Sequence, residues 1–186
     1  MKIGLYNLVS EVHNEGYIDQ TLKGFITEIE EKLGEKFENI NLEDFNCKDC
    51  FPLIFIKSGG VEGKFKQIFK QVKGPCLLLS SGLHNSFAAS LEIASFLRQK
   101  GEKAEIIHGD SDYIARRIKE LSKIFEVKSR LASTKLGVIG KPSDWLIASD
   151  VDYLKVKETL GISLIDIEMD ELVKEIDQNH HFTHPK

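Results

Sequence analysis

Residues 75–101, PCLLLSSGLHNSFAASLEIASFLRQKG, read as three consecutive pieces. A short apolar run, Cys76 to Leu79, is bounded by Pro75 and by the polar turn Ser80-Ser81-Gly82. From about residue 85 the pattern changes period. Phe87, Leu91, Ala94 and Leu97 recur at helical spacing, with Ala88, Ile93 and Phe96 beside them. Arg98 and Lys100 suit the negative end of a helix dipole, and Gly101 supplies a stop. Strand, turn and helix in that order make half of a βαβ unit.

The same junction recurs along the chain. IGLYNLV runs into Ser10-Glu11-Val12-His13-Asn14, PLIFI into Lys57-Ser58-Gly59-Gly60, AEII into His108-Gly109-Asp110, and LGVI into Gly140-Lys141-Pro142-Ser143-Asp144. The periodicity predicts strands near 2–8, 37–42, 52–57, 75–80, 103–108, 135–140 and 162–167. It predicts helices over 17–33, 62–72, 85–100, 111–126, 151–160 and 168–177. The fold class is therefore α/β: a flavodoxin-like or Rossmann-like three-layer parallel sheet over 1–128, with expected strand order 2-1-3-4-5. A polar, basic link is expected at 129–135. The start of a second, incomplete α/β unit follows at 136–177, and an aperiodic tail at 178–186. Residues 136–177 can instead complete the first sheet. In an open parallel sheet ligands bind beyond the strand C-terminal ends, so the small and polar turn residues are gathered on one working edge.

At 186 residues the chain can bury a substantial core. A hydrophobic share of 41% with 29% charged residues is ordinary for a globular protein. The net charge of -4 gives no footprint for nucleic acid or an anionic membrane surface. No apolar run approaches the roughly 20 residues that span a bilayer, and a cytoplasmic location is expected. Three cysteines make no disulfide framework. Cys47 and Cys50 have CxxC spacing but sit in a connector entering a strand, without the second pair a structural zinc site needs.

Several chemistries fit the turns poorly. Ser58-Gly59-Gly60-Val61-Glu62-Gly63 is neither a P-loop nor GxGxxG, and reads as a ligand cradle or a plain tight turn. No GxSxG elbow accompanies Ser81 and His84, and a hydrolase would have to recruit Asp110 as its acid. Ser10-Glu11 is too acidic for a flavin phosphate loop and lacks the paired acids of a receiver domain. Asn85 or Ser86 is suited to cap the following helix. His180, His181 and His184 cluster in the tail, where solvated side chains are expected rather than a metal site.

Taken together, KIGLYNLVSE, SGGVEG, LLLSSGLHNSFAASLEIASFL and LGVIGKPSDWLIASDVD resemble the N-terminal region of the L-fucose/L-arabinose isomerase-like sugar isomerases, across residues 1–177. That family interconverts aldoses and ketoses with a divalent metal, typically Mn²⁺. The resemblance implies that the metal ligands lie in later domains, that no metal or catalytic residue belongs to this chain, and that the chain is the inactive N-terminal part of a longer homo-oligomeric enzyme. Its partner would be a small-molecule sugar. By position, Glu11, His13, Ser81, His84, Asn85 and Trp145 are the candidate substrate-contacting residues. The competing expectation is a free-standing sugar- or sugar-phosphate-binding module without catalysis.

Overall fold

In the computed structural model, which describes residues 1–47, 49–72 and 74–178, the chain divides into two compact units, Met1–Glu126 and Val127–Lys186. The first holds strands β1 (Lys2–Leu8), β2 (Phe37–Asn39), β3 (Cys50–Ile56), β4 (Cys76–Ser80) and β5 (Ala104–Ile107). They form a five-stranded sheet, all-parallel as the alternation of elements predicts, in the order β2-β1-β3-β4-β5 expected by analogy with flavodoxin-like sheets. The first unit is thus an α/β fold of the flavodoxin-like, Rossmann-like three-layer kind.

β3 explains the layering. Its odd residues Phe51, Leu53 and Phe55 pack with Ile18, Leu22 and Ile29 of α1 (Glu15–Leu33) and with Ile114 and Ile118 of α4 (Ser111–Ser133). Its even residues Cys50, Ile54 and Ile56 pack on the opposite face with Phe65 of α2 (Glu62–Ile68) and with Ile93 and Leu97 of α3 (Ser86–Gln99). A strand buried on both faces reads as an unbroken apolar run, which CFPLIFI is.

Helix ends follow their caps. Asn14 accepts a hydrogen bond from Tyr17 N at 3.1 Å and starts α1 two residues earlier than the spacing predicts. Gly34, at φ 77°, closes the helix with its N–H on Glu30 O at 2.9 Å.

Four expectations are corrected. β2 ends at Asn39, and a 3₁₀ turn over Leu42–Asn46 replaces its predicted end. The helix expected over 62–72 stops at Ile68 and tightens into a 3₁₀ turn, Phe69–Gln71. α4 continues to Ser133, through most of the segment read as a link, because 111–135 contains no glycine or proline to end it. The buried face of α3 is Ser86, Ala89, Ser90, Ile93 and Leu97, while Phe87 and Leu91 of the expected apolar face are exposed. Small residues in its first turn let that helix approach β4, where Ser80 and Ser86 hydroxyls meet at 3.0 Å.

The second unit contains β6 (Lys135–Ile139), α5 (Tyr153–Leu160), β7 (Ser163–Ile167) and α6 (Met169–Asp177). β6 and β7 pair in parallel with each other in a sheet of their own, so residues 136–177 do not complete a seven-stranded sheet. Asp152 caps α5 through Lys155 N at 3.0 Å, and Gly161 at φ 81° ends it. Among the described residues of this unit, none is buried. No described helix is long and apolar enough to cross a membrane.

Two glycines of the first unit differ sharply in the space around them. A Cβ at Gly4 would lie 2.7 Å from Cys50 Sγ and 2.7 Å from Ile40 Cγ2, whereas one at Gly24 in α1 would meet nothing within 4 Å. Gly4→Ala is expected to cost about 1–3 kcal/mol through overpacking. Gly24→Ala should add roughly 0.5–1 kcal/mol through helix propensity. Urea unfolding of the two variants against the parent chain checks both signs.

Candidate functional site

In the order β2-β1-β3-β4-β5 the chain leaves β1 toward one side of the sheet and β3 toward the other. The connections after these two strands therefore run in opposite directions, which in an open parallel sheet is where ligands bind at the C-terminal edge. Their bases are tied together. Lys57 N donates to Leu8 O at 2.9 Å, and Ser10 N donates to the fully buried Ser58 Oγ at 3.1 Å. Gly60, at φ 76°, brings its backbone so close that a Cβ would sit 3.0 Å from Ser10 Oγ.

The loop after β4 docks on the other side of this pair. Gly59 N donates to His84 O at 2.8 Å, and a Cβ on Gly59 would lie 3.1 Å from Asn85 Cβ. His84 and Asn85 both take left-handed backbone, φ 53° and 60°, which costs of order 1 kcal/mol or more for side-chain-bearing residues. The turn is held by buried hydroxyls: Gly82 N lies 3.2 Å from Ser80 Oγ and 3.1 Å from Ser86 Oγ. His84 Nε2 meets Thr21 Oγ1 of α1 at 2.7 Å, and the Tyr17 ring stands edge-on to the imidazole at 6.1 Å. On the next strand end His108 Nδ1 donates to Ser80 O at 3.0 Å, with the Phe87 ring 4.5 Å away.

Charge at the edge is paired. The Lys57 side chain is only 10% exposed and bonds Asp19 Oδ1 at 2.6 Å, with Glu15 Oε1 at 3.8 Å. A groove of about 620 Å³ runs along α1 from this pair past Asn7, next to the end of β1, and Asn39, the last residue of β2. Lys64 Nζ reaches Val9 O at 3.1 Å and Glu11 Oε1 at 3.1 Å.

The residues picked from sequence fall into three situations. Ser81, His84 and Asn85 share the β4 turn; Ser81 Oγ accepts from Leu83 N at 3.1 Å, and the exposed Asn85 makes no side-chain cap bond, contrary to the capping expectation. Ser86 lies inside the helix and braces the turn before it. Glu11 and His13 lie on the β1 loop, both exposed, with Glu11 engaged by Lys64. Trp145 belongs to the second unit, 80% exposed on the turn between β6 and α5.

The hydrolase arrangement does not form. His84 is bonded to Thr21, Ser81 to Leu83 N, and Asp110 Oδ1 to Tyr113 N at 2.8 Å. Sequence spacing missed Tyr17, Thr21, Asp19 and Lys57. The available signal was the Asn14 cap, which puts residues 17 and 21 one turn apart at the rim end of α1.

No protein-family model and no curated protein matches this chain. Among the described residues no three His, Cys, Asp or Glu side chains converge to hold a metal ion. The described residues thus do not fit the Mn²⁺ centre that the resemblance implies for the longer enzyme. His180, His181 and His184 lie outside the described residues.

The thiols stand apart from the rim. All three are free; Cys47 is half-buried, and Cys50 and Cys76 are buried. Burial pushes the Cys50 thiol up and pushes Cys76 up to about 11. At about pH 8 roughly one Cys76 in a thousand is then a thiolate. Iodoacetamide is expected to label Cys47 first, with Cys50 and Cys76 reacting only on unfolding. Mass spectrometry of timed digests checks this order, and early labelling of Cys76 would contradict it.

Proposed function

We propose that this chain is the substrate-contacting and assembly part of a metal-dependent aldose–ketose isomerase of the L-fucose/L-arabinose type. In this reading it holds a small sugar at the C-terminal rim of the first sheet and does not itself carry the chemistry. The observation that carries the reading is the β4 turn. Two consecutive left-handed residues, His84 and Asn85, are wedged between α1 and Gly59 and set the His84 imidazole beside the Tyr17 ring. Strain of that kind persists only where the surroundings hold it, and it concentrates at ligand-contacting positions. Polar groups beside an aromatic edge suit sugar hydroxyls and C–H faces.

The side chains at this turn are hydrogen-bonding groups, and none of them is aligned as an activated nucleophile. That favours contact over catalysis. Assembly is supported by the second unit, where Leu136, Ile139, Leu154, Ile165 and Ile176 are exposed. Exposed apolar side chains in this number support surface that a partner covers, with Ile139 and Ile165 on one side of the β6–β7 pair and Leu136 on the other. The free-standing module is the weaker alternative, since its seven-stranded sheet does not form.

Titration of L-fucose and L-arabinose into the ¹⁵N-labelled chain tests the reading. The amides of Gly59, His84 and Asn85 are expected to shift together. Asn85→Ala should weaken binding by about three- to tenfold, the worth of one hydrogen bond. No shift at these amides up to about 100 mM sugar, weaker than the millimolar affinity of a few net hydrogen bonds, would overturn it. Turnover of either sugar by the chain alone with added Mn²⁺ would overturn its non-catalytic half.

A further inference from the structure

His84 and His108 each have one ring nitrogen engaged, and it is not the same nitrogen. His108 Nδ1 lies 3.0 Å from Ser80 O. A carbonyl oxygen only accepts, so Nδ1 carries the proton, and in the neutral ring Nε2 is a bare acceptor. His84 requires one more step. Its Nε2 lies 2.7 Å from Thr21 Oγ1, and the same Oγ1 lies 2.8 Å from Ile18 O. The hydroxyl has a single proton. Were it given to the imidazole, two oxygens would face each other at 2.8 Å with no hydrogen between them. Both contacts are satisfied only when Thr21 donates to Ile18 O and accepts from His84 Nε2–H. His84 Nδ1 is then bare. Among the described residues, neither His84 Nδ1 nor His108 Nε2 takes a protein partner.

We propose that Thr21 is a positioning residue of the rim. By accepting Nε2–H it holds the His84 ring in the tautomer and orientation that offer Nδ1 to a ligand hydroxyl. His108, locked in the opposite tautomer by Ser80 O, offers Nε2 as a second acceptor of the same kind. The rim therefore selects ligands by the O–H groups they donate. A sugar deoxygenated at the contacted position keeps its ring shape and loses the bond. This inference rests on the rim being the sugar-contacting site. Thr21 is exposed on α1 and outside the core, so replacing it leaves the fold intact.

Long-range ¹H–¹⁵N spectra of the full chain without ligand, at about pH 8.5, well above the ordinary imidazole range, read both tautomers directly. The expected result is an Nε2–H pattern for His84 and an Nδ1–H pattern for His108. An Nδ1–H pattern for His84, or Nε2–H for His108, would overturn the proposal even if sugar binds. Thr21→Val should lose the slowly exchanging Nε2–H signal of His84 and weaken sugar binding about three- to tenfold, while Thr21→Ser retains both within about twofold. Equal behaviour of the Val and Ser variants would also overturn it. Because the spectrum is recorded without sugar, it decides the tautomers whether or not the rim binds one; absence of binding to any variant would fall on the sugar-contacting reading instead.

Discussion

Everything at the working edge depends on the pairing of β3 with β1. Seven consecutive positions are matched in parallel, from Lys2 opposite Cys50 to Leu8 opposite Ile56. A one-residue slip would turn Phe51, Leu53 and Phe55 from the α1/α4 face to the other, so both cores fix this register. With the register fixed, the two strands end level. The β1 and β3 loops then emerge side by side and can share the Ser10–Ser58 bond. Gly4 is part of the same constraint, since only a residue without a side chain leaves room for Cys50 and Ile40 beside it.

The edge is built from buried hydroxyls rather than buried charges. Ser58, Ser80 and Ser86 have no exposure, and no fully buried side-chain polar atom among the described residues lacks a partner. An unsatisfied buried hydroxyl costs about 1–3 kcal/mol, so these serines are stabilising only as a complete set. Each hydroxyl hardens a turn: Ser58 holds Ser10 N, while Ser80 and Ser86 together hold Gly82 N. Among the described residues the one buried cation, Lys57, is placed where two carboxylates of α1 reach it, so burying it leaves no unpaired charge. Rigid turns of this kind are what allow His84 and Asn85 to be held in left-handed backbone.

The periodic parts of this architecture were legible in the residues. Apolar runs that end in polar turns give the parallel strands, glycine stops give the ends of α1 and α3, and the strand order follows by analogy with flavodoxin-like sheets. What was not legible has a common cause. Spacing reveals that a helix has an apolar face but not how closely it approaches the sheet, so in α3 the small residues Ser86, Ala89 and Ser90 went in and Phe87 and Leu91 stayed out. Polarity alone suggested a break near 129, yet a polar run without glycine or proline continues a helix. The contributions of Tyr17, Thr21 and Asp19 to the rim depend on α1 crossing toward the β3 and β4 loops, a proximity that no local pattern encodes.

The second unit sets a different physical problem. Ordering one residue costs about 1–2 kcal/mol, and fully burying a leucine or isoleucine side chain returns about 1.5–3 kcal/mol. From Val127 onward no described residue is buried, and two five-residue strands leave Leu136, Ile139 and Ile165 exposed. On α6, Met169, Val173 and Ile176 recur at positions that share one helix face, and all three are exposed. In the proposed assembly, the favourable term for this unit comes from surface that it covers on a neighbour. If assembly is part of its role, as proposed, folding of the second unit and association are one coupled equilibrium. Its apparent stability then rises with protein concentration, while that of the first unit, with its own two-sided core, does not.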